Sequence, residues 1–216
     1  MTLNLSPDEL LSTTRSVRRR LNLERPVEMA LIRECLSLAI QAPSGSNAQG
    51  WHFVIVTEAE KKRAIADLYR RAWAIYRNQP PSDQQVQRQY PGRRASMERV
   101  TRSAVYLAEH LHEVPVWMIP CIEGRFENLP SFIQASVFGS ILPATWSFML
   151  AARARGLASC WTTLHLMFEE EAAKVLDIPY ESVTQVALLP VAYAIGTDFK
   201  PALRKPLDEV LHMDRW

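Results

Sequence analysis

The chain reads as a single α+β domain. Three observations predict this. Apolar residues recur at helical spacing in several separate stretches, and short runs of β-branched and aromatic residues alternate with them. No repeat, low-complexity tract or linker divides the 216 residues, so residues 1–216 form one domain. With 48% hydrophobic and 22% charged residues the composition is that of a globular protein with a substantial core, and it argues against disorder.

Ser6-Pro7-Asp8-Glu9 opens a short helix. The serine is placed to cap it, the proline suits its first turn, and the glutamate three residues on completes a capping box. Residues 27–42 carry Met29, Ile32, Leu36, Ala39 and Ile40 at amphipathic spacing, and Pro43-Ser44-Gly45-Ser46-Asn47 must end that helix. Trp51-His52-Phe53-Val54-Ile55-Val56-Thr57 is a strand, followed by a charged helix from Glu58 to about Tyr76 with Ile65, Leu68, Ala72 and Ile75 on one face.

Residues 77–92 lose all periodicity in a run of Asn, Gln, Pro and Ser. A stretch of that length fits a lid or binding loop, bordered by Trp73, Tyr76 and Tyr90, which could stack on a planar substrate. A helix resumes over 93–112. Val114 to Cys121 is a short strand whose Pro115 and Pro120 suit a sheet edge or a strand end.

From Asn128 to Ala152 there is no charged residue, which is length enough to cross a bilayer. Gln134, Ser136, Ser140, Thr145 and Ser147 recur along it, however, and Pro143 interrupts it. It therefore reads as a buried or subunit-interface helix, with Gly156 as its C-cap glycine. A helix over 168–177 stops before Pro179, and 182–195 is a long apolar strand.

Chemistry concentrates in Thr13-Thr14-Arg15-Ser16-Val17-Arg18-Arg19-Arg20, four arginines and three hydroxyls in eight residues. Such a strip needs an anion. The net charge is only +2, so the basicity is local, and a nucleic-acid or membrane-surface role is not favoured. The seven glycines form neither GxGxxG nor a Walker loop, so a bound phosphate would be held by side chains.

Cys35, Cys121 and Cys160 form no CxxC pair and suit reduced thiols in the cytoplasm. The start, Met1-Thr2-Leu3-Asn4-Leu5, lacks the layout of a signal peptide. His110 and His112 stand two apart and do not share a helix face, so no metal site is expected. His52 and His165 read as structural histidines.

Four segments occur in order: Arg15-Ser16-Val17-Arg18; Ala42-Pro43-Ser44-Gly45-Ser46-Asn47-Ala48-Gln49-Gly50-Trp51-His52-Phe53; 151–161 ending in Ser159-Cys160-Trp161; and Arg204-Lys205-Pro206-Leu207-Asp208-Glu209-Val210. Together they resemble the FMN-dependent nitroreductase superfamily over nearly the whole chain. Within it they come nearest the iodotyrosine deiodinase-like branch. The resemblance implies a mixed four- or five-stranded sheet wrapped by helices, a long central helix at the interface of an intertwined homodimer, and one FMN at each end of that interface.

By resemblance the FMN-binding residues are Arg15, Ser16, Val17, Arg18 and Arg19 at the phosphate and pyrimidine edge. Pro43, Ser44, Gly45, Asn47 and Gln49 would come from the other protomer. Trp161, Thr162 and Thr163 would lie along the ring, with Arg204 and Lys205 at the phosphate. Arg20 stands where the family carries an apolar residue and is expected to be merely exposed. Thr14, Gly50 and Trp146-Ser147 also depart from the family pattern. The carboxylate that grips an amino-acid zwitterion in the deiodinase branch is expected in the helix before the lid, where Ala72 stands, so deiodination of an amino acid is disfavoured.

The implied activity is ping-pong oxidoreduction. NAD(P)H gives hydride to flavin N5, and a planar electrophile such as a nitroaromatic or quinone then takes it, with no dedicated catalytic side chain. The alternative is a flavin-binding or flavin-sequestering protein without turnover.

Overall fold

Each face of the central sheet is closed by a pair of helices, and the arginine strip lies along one end of the sheet. The computed structural model describes residues 2–79 and 93–216. The helices are α1 (Pro7–Thr13), α2 (Met29–Ala39), α3 (Ala59–Arg77), α4 (Arg93–His110), α5 (Ser131–Ala154) and α6 (Glu169–Leu176). The strands are β1 (Trp51–Val56), β2 (Val116–Glu123), β3 (Leu157–Ser159), β4 (Val183–Gln185) and β5 (Leu189–Tyr193). Apart from Arg77, Asn78 and Gln79, the expected lid of 77–92 lies outside the described residues, as does Tyr90.

Local signals act as expected at most helix ends. The Ser6 hydroxyl accepts from the Glu9 amide at 3.2 Å while the Glu9 carboxylate accepts from the Ser6 amide at 2.8 Å, which is the capping box. Gly156 follows α5 with φ +77°, a left-handed conformation that glycine enters without steric cost. Asp177 takes the same role after α6, at φ 56°.

The sheet order is β1-β2-β5-β3, with β4 paired to the far end of β2. The ladders are antiparallel. The parallel element of the expected mixed sheet is confined to one bridge, Ser16 to Ser159.

Strand β2 is not the edge its prolines suggested. It is the central strand, flanked by β1 on one side and by β4 and β5 on the other, and buried over seven of its eight residues. Pro120 fits there because its carbonyl accepts from the Val186 amide in the gap where β4 has ended and β5 has not begun. The missing N–H therefore faces an interrupted ladder.

That same interruption corrects the long strand expected over 182–195. Val186 to Leu188 leave the ladder, and Leu188 bridges to Thr162 instead. Polar alternation is absent along this run, so nothing in its pattern marked the break.

The two faces of β2 divide the core. Trp117, Ile119 and Cys121 point to one side, joining Ile65, Ala66 and Tyr69 of α3 and Leu107 and Ala108 of α4. Val116 and Met118 point to the other, among Ile32 and Cys35 of α2 and Phe148 and Met149 of α5. Each large side chain buried this way is worth about 1.5–3 kcal/mol of transfer free energy. On α2 the buried face is Ile32, Cys35 and Ala39, while Met29 and Ile40, expected inward, are exposed at the first residue of the helix and just past its last.

Helix α5 is the one described helix long and apolar enough to cross a membrane, and it packs against α2, β2 and β3. Its outward stripe is Phe132, Ala135, Ser136, Gly139, Leu142 and Trp146, all exposed and none charged. Pro143 removes the donor for the Gly139 carbonyl on that same stripe.

Candidate functional site

The arginine strip is pinned to the sheet by its backbone and its two inward apolar residues. The Val17 amide donates to the Ser159 carbonyl at 2.8 Å, the Ile195 amide to the Arg20 carbonyl at 2.8 Å, and the Asn22 amide to the Tyr193 carbonyl at 2.8 Å. Val17 and Leu21 drop into the core, which leaves the arginines at the surface of the fold.

The four guanidinium groups then diverge. Arg15 donates to the Lys200 carbonyl at 2.6 Å, which brings the C-terminal segment alongside the strip. Arg18 reaches Ser103 on α4 at 3.4 Å, and Arg19 lies 5.9 Å from the Tyr106 ring centre. Arg20, expected to be merely exposed, is held most firmly of the four. It donates to the Ile195 carbonyl, pairs with Asp198 at 2.6 Å and lies over Phe199 at 4.2 Å. Arg19 is the exposed member instead. The family's apolar residue at position 20 is replaced here by a cation stacked on an aromatic ring.

The bridge to Ser159 sets the strip beside the 160–163 run. The Cys160 thiol is buried and its pKa raised by that burial, with Arg18 and Ser16, both at hydrogen-bonding reach, opposing the shift. It is a protonated core thiol, as its apolar setting suggested. Thr162 is buried and shares a 2.9 Å hydrogen bond with Tyr69 of α3, a residue the sequence did not single out. Burial pushes the Tyr69 phenol up to about 12, so it stays neutral. Trp161 is half-buried against the α2–α5 side of the core, and Thr163 is exposed.

The loop after α2 sits elsewhere. The Gly45 amide donates to the Ser140 hydroxyl of α5 at 2.9 Å, and a Cβ at Gly45 would come 2.5 Å from the Ser136 hydroxyl, so glycine permits the close seat. Ser44 accepts from the Gln49 amide, Gln49 donates to Asn47, and both Asn47 and Gln49 hold positive φ. Pro43, Asn47 and Gln49 are exposed. Among the described residues no hydrogen bond joins this loop to the strip of its own chain. Arg204 and Lys205 are exposed too, the first donating to the Leu203 carbonyl and the second pairing with Glu209 at 3.6 Å.

Ala72 is wholly buried in α3, so a carboxylate there would face the core. The missing acid at that position therefore says nothing about zwitterion binding. Of the bordering aromatics, Trp73 packs partly against the core while Tyr76, 6.0 Å from it, is exposed.

One buried charge is not legible from the sequence pattern. Arg153, at the end of the otherwise uncharged α5, is only 4% exposed, and its Nε and Nη1 have no hydrogen-bond partner among the described residues. With Thr13, Thr14, Arg15, Ser159 and Phe199 it lines a small open cleft. The only sequence signal was a charge at the end of a buried helix. A phosphate-bearing cofactor fits this donor set. Two guanidiniums meet at the cleft, one of them buried and unsatisfied, and a neutral hydroxyl-rich run lies on the other side of the strip.

A sheet between two helical layers, with an arginine strip bridged to its border strand, defines an α+β protein with a local basic surface. The chain belongs to the Nitroreductase family, whose model matches residues 11–193. It is similar to the 4-nitrobenzoate reductase of Nocardioides sp. (strain LMS-CY), 29% identical over 193 residues, which cover 80% of this chain and 74% of that one. Among solved structures it resembles an iodotyrosine deiodinase bound to FMN and 3-iodo-L-tyrosine, with TM-score 0.71 and 23% identity over 97% of this chain and 98% of the other. It also resembles the FMN-dependent nitroreductase NfnB from Mycobacterium smegmatis in complex with NADPH, with TM-score 0.68 and 21% identity over 96% and 97%. Family membership carries a general oxidoreductase role.

Proposed function

We propose that the protein is a homodimeric FMN-dependent oxidoreductase that passes hydride from NADH or NADPH to a small planar electrophile, a nitroaromatic or a quinone. One observation carries this reading. The Ser16–Ser159 bridge and the Arg15–Lys200 bond draw together three chain segments distant in sequence, all bearing cations or hydroxyls. The 4-nitrobenzoate reductase relative and the NADPH-bound NfnB structure support the donor and acceptor classes.

Bound FMN would supply two-electron transfer between donor and acceptor. Arg15, with Arg204 and Lys205 from the C-terminal segment, would hold the phosphate, and Ser16 the ribityl chain. Arg18 would offset negative charge at the pyrimidine edge. Trp161, Thr162 and Thr163 would lie along the ring, with Thr162 oriented by its bond to Tyr69.

The homodimer rests on the exposed stripe of α5. Phe132, Gly139 and Trp146 recur at seven-residue spacing on an uncharged helix face, and a surface of that kind suits a second copy of itself. The Pro43–Gln49 loop, seated on α5 at Ser140, would then reach the partner's flavin.

Purified protein should take up FMN stoichiometrically. Under anaerobic conditions NADH or NADPH should bleach the visible flavin absorbance on the order of seconds or faster, as expected for turnovers of about 1–1,000 per second, and a nitroaromatic or quinone should restore it. Protein that stays colourless with added FMN would remove this reading. Flavin that binds but is never bleached would favour a flavin-sequestering role.

A further inference from the structure

Arg153 presents a physical problem that the flavin assignment leaves open. It is 4% exposed, and among the described residues its one hydrogen bond runs from Nη2 to the Thr197 carbonyl at 2.9 Å. Nε and Nη1, which carry three N–H donors between them, have no partner among the described residues. The charge that bears on it is of like sign, from Arg20, and Arg20 is itself taken up by Asp198. The Phe199 ring, 4.8 Å away, offers Arg153 a π face and no counter-ion. A guanidinium buried without a counter-charge is costly, and such groups persist where an anion completes them.

The cleft it lines has the remaining parts of an anion site. Arg15 brings a second guanidinium, and Ser159, buried at 4% exposure, lines the same cleft as Thr14, Met149 and Leu157. The cleft is small and open to solvent, with none of the enclosed space that a whole aromatic ligand needs. Position adds to the case. Arg153 lies in the last turn of α5, where the helix dipole favours a cation and holds it near the helix carbonyl end rather than in solvent.

We propose that this cleft is a phosphate-binding site anchored by Arg153, with Arg15 as its second cation. The phosphate can be the monoester tail of the flavin, an assignment that rests on the proposed FMN function, or free inorganic phosphate, which does not.

The experiment uses the flavin-free full-length protein, wild type, Arg153→Met and Arg15→Met. Inorganic phosphate at millimolar concentration is expected to raise the melting temperature of wild type and to leave Arg153→Met unmoved. Without phosphate, Arg153→Met is expected to melt at or above wild type, because an uncompensated buried charge has been removed. FMN and riboflavin are then titrated by flavin fluorescence.

A rise of about tenfold or more in the FMN dissociation constant of Arg153→Met, with riboflavin nearly unchanged, identifies the flavin tail as the occupant. A lost phosphate response with unchanged FMN affinity identifies free phosphate. Arg15→Met, at the more open side of the cleft, reports whether or not Arg153→Met folds, and a weakened phosphate response is expected from it. The proposal is overturned if phosphate stabilises both variants as it does wild type and the FMN-over-riboflavin preference is intact. It is equally overturned if Arg153→Met melts well below wild type yet keeps the phosphate response, since Arg153 is then a packing residue. Failure of both flavins to bind wild type would sink the FMN reading while leaving the phosphate result to decide this one.

Discussion

Nη1 of Arg15 donates to the carbonyl of Lys200 at 2.6 Å, across 185 residues of chain. The bond fixes where the C-terminal segment passes the strip, four residues before Arg204.

Replacing Arg15 by alanine should therefore act at two levels. Stability should fall by about 1 kcal/mol or less, because the bond is exposed. FMN affinity should fall by about tenfold or more, because a charge-assisted phosphate contact goes with it. Denaturant melts and flavin-fluorescence titration measure the two separately, and an unchanged FMN affinity would take Arg15 out of the cofactor site.

The outward stripe of α5 makes a prediction about assembly. A Cβ at Gly139 meets nothing within 4 Å, so the protomer itself tolerates a side chain there. Gly139→Arg should leave the fold intact and convert a micromolar dimer to monomer in light scattering or sedimentation. Gly139→Ala should stay dimeric. Identical masses for wild type and the arginine variant would show that another surface carries assembly.

His165 predicts a pH dependence. It is fully buried in the turn Leu164–Phe168, neither ring nitrogen has a partner among the described residues, and burial lowers its pKa from 6.5 to about 3. The folded value lies below the unfolded one, so below pH 6.5 the unfolded chain binds a proton that the folded protein refuses. Stability is unaffected above that pH. Toward pH 3 it falls by about 1.4 kcal/mol per unit from this group alone. His165→Leu should cancel that slope relative to wild type in denaturant melts run at pH 7, 6 and 5. Parallel curves for the two proteins would contradict the buried neutral ring.

Tyr69→Phe removes one side of the buried 2.9 Å bond to Thr162. The stranded threonine hydroxyl should cost about 1–3 kcal/mol in stability. If Thr162 lines the flavin, FMN affinity should drop a few-fold as well. A stability loss with unaltered flavin binding would separate Thr162 from the ring.

What the sequence disclosed and what it hid follow from different kinds of information. The capping box at Ser6 and Glu9 and the glycine after α5 are local, and each landed where expected; the amphipathic stripes are buried at Ile32, Ala39, Ile65, Leu68 and Ala72 but exposed at their ends, at Met29, Ile40 and Ile75. The place of β2 was hidden because Pro120 is tolerated through a gap that its neighbours, β4 and β5, create. The role of Arg20 was misjudged because its partners, Asp198 and Phe199, lie at the other end of the chain. Arg153 was overlooked for a related reason. Only the folded chain sets residues 13–15, 159 and 199 around it, and no spacing in the sequence announces that cleft. The family motifs named the strip and the 161–163 run. The fold supplied their adjacency, through the single bridge at Ser159.

That bridge has a consequence for how a ligand could come and go. β3 is the last strand of the sheet, and the Val17 amide occupies the Ser159 carbonyl that would otherwise face outward. An open strand border invites pairing with foreign chains, so the strip also acts as a guard against self-templated aggregation. A guard of that kind cannot swing aside without baring the sheet. Exchange of a bound molecule must therefore proceed by motion of other segments, and the Val17 amide should rank among the slowest in the protein to exchange with deuterium.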